Sequence, residues 1–113
     1  MESILTSIKK LLGVDENYDI FDPDIIFHIN STLMILAQMG VGQKGFMIEG
    51  EDSEWRDFLN DSTDIESVKT YVYLKVKLIF DPPQSSAVIE SMKQLINELE
   101  WRLNVAVDPV DTF

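Results

Sequence analysis

Residues 69–83 read Lys-Thr-Tyr-Val-Tyr-Leu-Lys-Val-Lys-Leu-Ile-Phe-Asp-Pro-Pro, and the period assigned to this stretch decides the fold. Taken alone it alternates. Val72, Leu74, Val76 and Leu78 interleave with Tyr71, Tyr73, Lys75 and Lys77, the two-residue period of a half-buried strand built from β-favouring residue types. Extended back to Thr63 it reads as a helix. Thr-Asp-Ile-Glu at 63–66 has the form of a capping box, and Ile65, Val68, Val72, Val76 and Ile79 then recur at spacings of 3, 4, 4 and 3 along one helical face. The run from 64 to 80 far exceeds the roughly 5–6 residues of an ordinary strand. With a cap at one end and Asp81-Pro82-Pro83 forbidding further helical hydrogen bonds at the other, a helix is expected over 64–80.

The flanking chain supplies more helices. Residues 3–12 place Ile4, Leu5, Ile8, Leu11 and Leu12 on one face with Lys9 and Lys10 opposite, and Gly13 stops the helix. After an acidic connector, Asp22 at the N-cap, Pro23 at the first helical position and Asp24 in the first turn begin a helix over 23–39. Ile26, Ile29, Leu33 and Leu36 form its stripe. Ile25, with Phe27 or Met34, widens that stripe, which predicts packing on two sides. Residues 40–52 hold four of the five glycines and read as a long loop with Phe46-Met47-Ile48 tucked in. A short helical turn near 54–60 follows from a Ser53 cap, facing Trp55, Phe58 and Leu59 inward. The last helix, 86–103, carries Ile89, Met92, Ile96, Leu99 and Leu103 at 3, 4, 3 and 4, with Val88 and Leu95 widening the face. Pro109 turns 105–113 into an extended tail. The expected fold is an all-α bundle of about four helices in a single domain, 1–104, plus that tail.

Composition narrows the classes of function. At 113 residues and 45% hydrophobic the chain suits one folded core. A net charge of −11 disfavours binding to phosphate backbones or anionic membranes, and Lys69, Lys75 and Lys77 are the only close basic group besides Lys9 and Lys10. The absence of cysteine excludes disulfides, zinc-thiolate sites and thiol nucleophiles. No apolar run is long enough to span a bilayer and the N-terminus lacks the order of a signal peptide, so a soluble intracellular protein is expected.

Candidate chemistry is thin. Asp24 and His28 stand at helical i, i+4 spacing, but with no second histidine a surface or interface histidine is the simpler reading than a metal ligand. The acidic stretch from Glu49 to Asp64 lacks the alternating-oxygen pattern of a calcium loop. Gly40, Gly42, Lys44 and Gly45 lack the Gly-Lys-Ser/Thr order of a phosphate loop and follow a helix rather than a strand. Composition and spacing name no enzyme, metal or cofactor. Trp55 and Trp101 read either as partly covered core tryptophans or as contact anchors, a choice sharpened for Trp101 by its neighbour Arg102. The tyrosine and lysine face of the central helix has the same two readings.

Four segments carry a resemblance. Phe21-Asp22-Pro23-Asp24-Ile25 leading to His28-Ile29-Asn30-Ser31, then Leu36 to Gly42, then Tyr71 to Pro83, and Leu99-Glu100-Trp101-Arg102-Leu103 together resemble the head-tail connector family of tailed bacteriophages, often labelled DNA packaging proteins. The likeness covers about residues 20–104 and omits the first helix and the last ten residues. It implies an all-helical, non-catalytic subunit. It also implies a homo-oligomeric ring beneath the portal protein, in the virion neck, that receives a downstream tail-completion protein and lets DNA pass without sequence-specific binding. Assembly would occur in the host cytoplasm. A strongly acidic ring would not hold a sliding duplex. Tyr71, Tyr73, Lys75, Lys77, Trp101 and Arg102 are the expected interface residues, meeting acidic residues of a neighbour's loop. The loop 40–52 and the tail 105–113 read either as mobile surface segments or as segments that order on contact with portal or tail proteins. Two other classes remain open: an acidic DNA mimic or regulatory binding protein, and an enzyme using clustered carboxylates and His28.

Overall fold

The computed structural model describes residues 2–61 and 63–107. All their regular structure is helical apart from one isolated antiparallel bridge between Ser3 and Glu54. Five helices follow in order: α1 (Ile4–Leu12), α2 (Asp22–Gln38), α3 (Trp55–Phe58), α4 (Ile65–Phe80) and α5 (Ser86–Val107). The stretch that opens the sequence question is helix α4, and it is the hub, since α1, α2 and α5 all pack on it while α5 packs on little else among the helices. The result is flattened, 49 × 36 × 20 Å.

Each helix forms for reasons written locally. Ser3 caps α1 by accepting the Thr6 N–H at 2.9 Å, and Gly13 ends it at φ 82°, the left-handed conformation that costs glycine least. Asp64, rather than Thr63, caps α4, accepting the Glu66 N–H at 3.1 Å, while the Thr63 hydroxyl turns to Asn60. Glu54, rather than Ser53, caps α3 in a reciprocal box with Asp57. Ser53 instead gives its carbonyl to the Ile4 N–H at 2.9 Å, which ties the start of α1 to α3.

The core is continuous through all five helices. Ile4 and Ile8, Ile25, Ile29, Leu33 and Leu36, Trp55 and Phe58, Val68, Val72 and Val76, and Ile96, Leu99 and Leu103 are all buried together. Burying such side chains contributes roughly 1.5–3 kcal/mol each before entropy is counted. Trp55 is sealed inside and donates its indole N–H to Ser7 Oγ at 3.1 Å, so its polar atom is satisfied.

Several expectations about faces are corrected. Lys9, assigned to the solvent side, is buried; its ammonium donates to the carbonyls of Glu16 (3.0 Å) and Tyr18 (2.9 Å) and stands 2.8 Å from Asp22 Oδ1, off that oxygen's hydrogen-bonding direction. The connector 13–21 wraps over α1 and brings these acceptors to it. Asp22 therefore makes no cap, and α2 starts at Asp22 without a side-chain cap bond. Leu11, Ile79, Val88 and Leu95, expected in apolar stripes, are exposed. For Val88 and Leu95 the reason is one-sided packing: α5 meets mainly α4, so only its central stripe is covered. Of the expected tucked loop, Ile48 is buried and Phe46 half-buried, but Met47 points out. Finally, α5 continues through Val105–Val107, because the α-disfavouring effect of Pro109 reaches back only to Asp108. The rest of the expected tail, 108–113, lies outside the described residues.

Candidate subunit interface

The fold divides the expected aromatic and basic face of α4. Tyr71 is buried and donates its hydroxyl to Glu100 Oε2 at 2.7 Å, so it belongs to the α4–α5 joint and offers no surface to a neighbour. Burial, reinforced by the Glu100 carboxylate, pushes its hydroxyl above the ordinary tyrosine range. Tyr73 is half-buried against the core. Lys77 reaches Asp81 at 2.9 Å one turn on, and Lys69 lies 3.5 Å from Glu66. Lys75 stands 5.9 Å from the Tyr71 ring centroid and, among the described residues, makes no ion pair. The lysines are thus largely balanced within the subunit.

The second expected pair stays on the surface. Trp101 is two residues from each of Leu99 and Leu103, about half a turn around α5, and it is 68% exposed. Val105, one turn on, is exposed beside it. Arg102 pairs with Glu98 at 2.6 Å across one exposed turn. The two tryptophans therefore divide between the two readings, Trp55 taking the core and Trp101 the surface.

A further apolar surface lies on α2. Phe27 (67%), Met34 (57%) and Met47 (66%) are exposed although none is polar. Asn30 fixes the loop beside the helix, its amide donating to the Ile48 carbonyl at 3.0 Å and its Oδ1 accepting the Ile48 N–H at 2.8 Å. Phe46 rests on Phe58 with ring centroids 5.3 Å apart. Between helix and loop runs a groove of about 300 Å³ lined by Phe27, Leu33, Met34, Phe46 and Met47, with Gln43 at its edge. Phe27, Met34 and Met47 are thus exposed where an inward face is expected, while Leu33 and Phe46 pack inward. A signal did exist: residues 25–43 contain no Asp, Glu, Lys or Arg, which is unusual for a solvent face in a chain that is 26% charged.

A third apolar area sits where α1 and α4 end and α2 begins. Tyr18, Phe21 and Phe80 form an edge-to-face ladder with centroids 5.6 and 5.4 Å apart. Asp24 and His28 line the shallow cavity beside Phe21 and Phe80, together with Asp81. Among the described residues, no group of three or more His, Asp or Glu side chains is placed to hold a metal ion. No helix of the described chain is long and apolar enough to cross a membrane.

Comparison with known proteins adds one finding. No curated protein and no solved structure matches the chain. A family model described as Phage connector protein matches residues 4–110. That span takes in helix α1, which the sequence resemblance left out. With an all-helical fold and a match over nearly its whole length, the chain belongs to the phage connector protein family.

Proposed function

We propose that this protein is the head-tail connector subunit of a tailed phage or prophage, forming a homo-oligomeric ring beneath the portal that completes the DNA-filled head and receives a tail-completion protein. The observation that carries the reading is that one subunit leaves large apolar side chains exposed on unlike surfaces, among them the α2 groove, with Phe27, Met34 and Met47, and the outer side of α5, with Trp101 and Val105. A ring needs two different faces that meet head to tail. Membership in the family supports the setting, the virion neck. A charge of −11 per subunit, repeated around a ring, suits a conduit that repels the duplex sliding through it. Tyr73, Lys75, Lys77, Trp101 and Arg102 remain the proposed contact residues of α4 and α5. Tyr71 supports them from within.

The test is the solution mass by light scattering across concentration, first alone and then with the cognate portal. A closed ring, alone or only on the portal, is expected. A monomer that ignores the portal and binds a basic host protein would overturn the reading in favour of an acidic mimic. Reversing the charge of Lys75 and Lys77 is expected to weaken assembly, and unchanged assembly would remove both from the interface.

A further inference from the structure

The ring reading leaves open which surfaces meet, and the α2 groove bears on that. A helix face freed of charge over residues 25–43 has the composition of an interface centre, where charged residues are depleted, rather than of a solvated surface. The groove is also built in advance. Asn30 holds the loop at Ile48, Gln43 donates its amide to the Asp57 carbonyl at 2.9 Å, and Phe46 is braced on Phe58. Its walls need no reordering to receive a side chain, which lowers the entropic cost of binding.

We infer that the groove is filled by a second copy of this chain, through Trp101 and Val105 of that copy's α5. This deepens the connector reading and rests on it. Trp101 is the most exposed large apolar side chain among the described residues, and Val105 stands beside it at i, i+4. The chemistry matches in three respects. The apolar bodies of Trp101 and Val105 meet Phe27, Leu33, Met34 and Met47. The indole N–H is a donor only, and Gln43, whose amide nitrogen is occupied by Asp57, keeps its Oε1 as an acceptor at the groove edge. Lys44, next to Gln43, is exposed and makes no ion pair among the described residues, and Glu98, one turn before Trp101 and paired with Arg102 in its own subunit, would be shared with Lys44. Within one subunit Trp101 points away from α4, on the side of α5 opposite its core stripe. The contact therefore joins two molecules, and because groove and knob are different surfaces, it propagates head to tail.

The chain has no cysteine, which makes a cross-linking test clean. Ser31→Cys sits in the groove strip of α2, and Val105→Cys on the outer face of α5. The doubly substituted protein, assembled with and without portal and then oxidised, is expected to give a ladder of covalent oligomers on a non-reducing gel, and each single variant only monomers. Rings seen by light scattering without a ladder would overturn the pairing while leaving the connector reading intact. A single variant that dimerises covalently would overturn it in favour of a symmetric contact. A wild-type protein that stays monomeric in every condition would remove both readings. Independently, Trp101→Ala, at an exposed position where helicity by circular dichroism should not change, is expected to raise the concentration needed for assembly about 30-fold, the effect of losing a hot-spot tryptophan. An unchanged concentration would overturn the inference.

Discussion

Lys9 and Lys10 are neighbours in sequence with opposite surroundings, so they form a matched pair for measuring what a buried ammonium contributes. Replacing Lys9 by Met keeps the buried stem and removes only the charge. The lost interactions are two charge-assisted hydrogen bonds, to the carbonyls of Glu16 and Tyr18 at 3.0 and 2.9 Å, and the ion pair with Asp22 at 2.8 Å. Bonds to charged groups contribute about 1.5–3 kcal/mol each, and breaking a buried pair costs about 3–5 kcal/mol. Two facts reduce this. The Asp22 side chain is still 24% exposed, and the two carbonyls lie on an exposed connector that can turn them to water. A loss of about 2–3 kcal/mol is expected, or about 8–12 °C in Tm for a domain of this size. Lys10 pairs with Glu2 at 2.7 Å, but the two side chains are 56% and 40% exposed, so solvent screens the pair. Lys10→Met should leave stability close to that of the wild type. Thermal and urea unfolding followed by circular dichroism measure both. A Lys9→Met protein no less stable than Lys10→Met would refute the assignment of Lys9 as the clasp of residues 13–22.

Other outcomes follow from the same coordinates. Tyr71→Phe removes the hydroxyl that bonds to Glu100 and should cost about 1–2 kcal/mol at neutral pH. Because the folded protein holds that proton more tightly than the unfolded chain, wild-type stability is complete below pH ~10 and declines as pH rises above it; urea titrations from pH 8 to 11 should show the Phe variant with a flatter alkaline limb. Gly42 has φ 84°, and a methyl group there would overlap the buried Phe58 ring, so Gly42→Ala should lose about 2–4 kcal/mol. Gly13→Ala, with φ 82° but nothing within 4 Å, should lose only about 1 kcal/mol in the same unfolding assay. In the unassembled protein, acrylamide should quench Trp101 strongly and Trp55 weakly, so Trp101→Phe should leave a blue-shifted, protected emission.

The helices were legible because their signals are local. Pro23 at a first turn, the proline pair after α4 and the 3- and 4-residue spacings of α5 depend on no distant residue. Faces were less so. The sequence shows Lys9 as polar, and only the folded connector places the Glu16 and Tyr18 carbonyls where its ammonium reaches them, with Asp22 beside it. The same connector takes Asp22 from its cap. Phe27 and Met34 show the opposite ambiguity, since a helix apolar on two sides reads alike whether its second cover is its own chain or another molecule. Trp101 stood out because it breaks the polar side of an otherwise regular helix, but the sequence left it open between core and surface, and only the fold leaves it exposed. The groove was not, because it needs Met47 and Phe46 brought alongside α2 by the Asn30–Ile48 bonds, a contact 18 residues apart.

Helix α5 is held unevenly along its length. From Ser86 to Leu95 it buries no side chain fully, with only Met92 resting partly on the core, and its main seal comes from Ile96, Leu99 and Leu103 farther along. The helix is thus held down near its far end, where Trp101 also stands. Changing its angle to α4 would unseat Ile96, Leu99 and Leu103 and break the Tyr71–Glu100 bond, so the far half behaves as a clamped bar and Trp101 is carried on its rigid part.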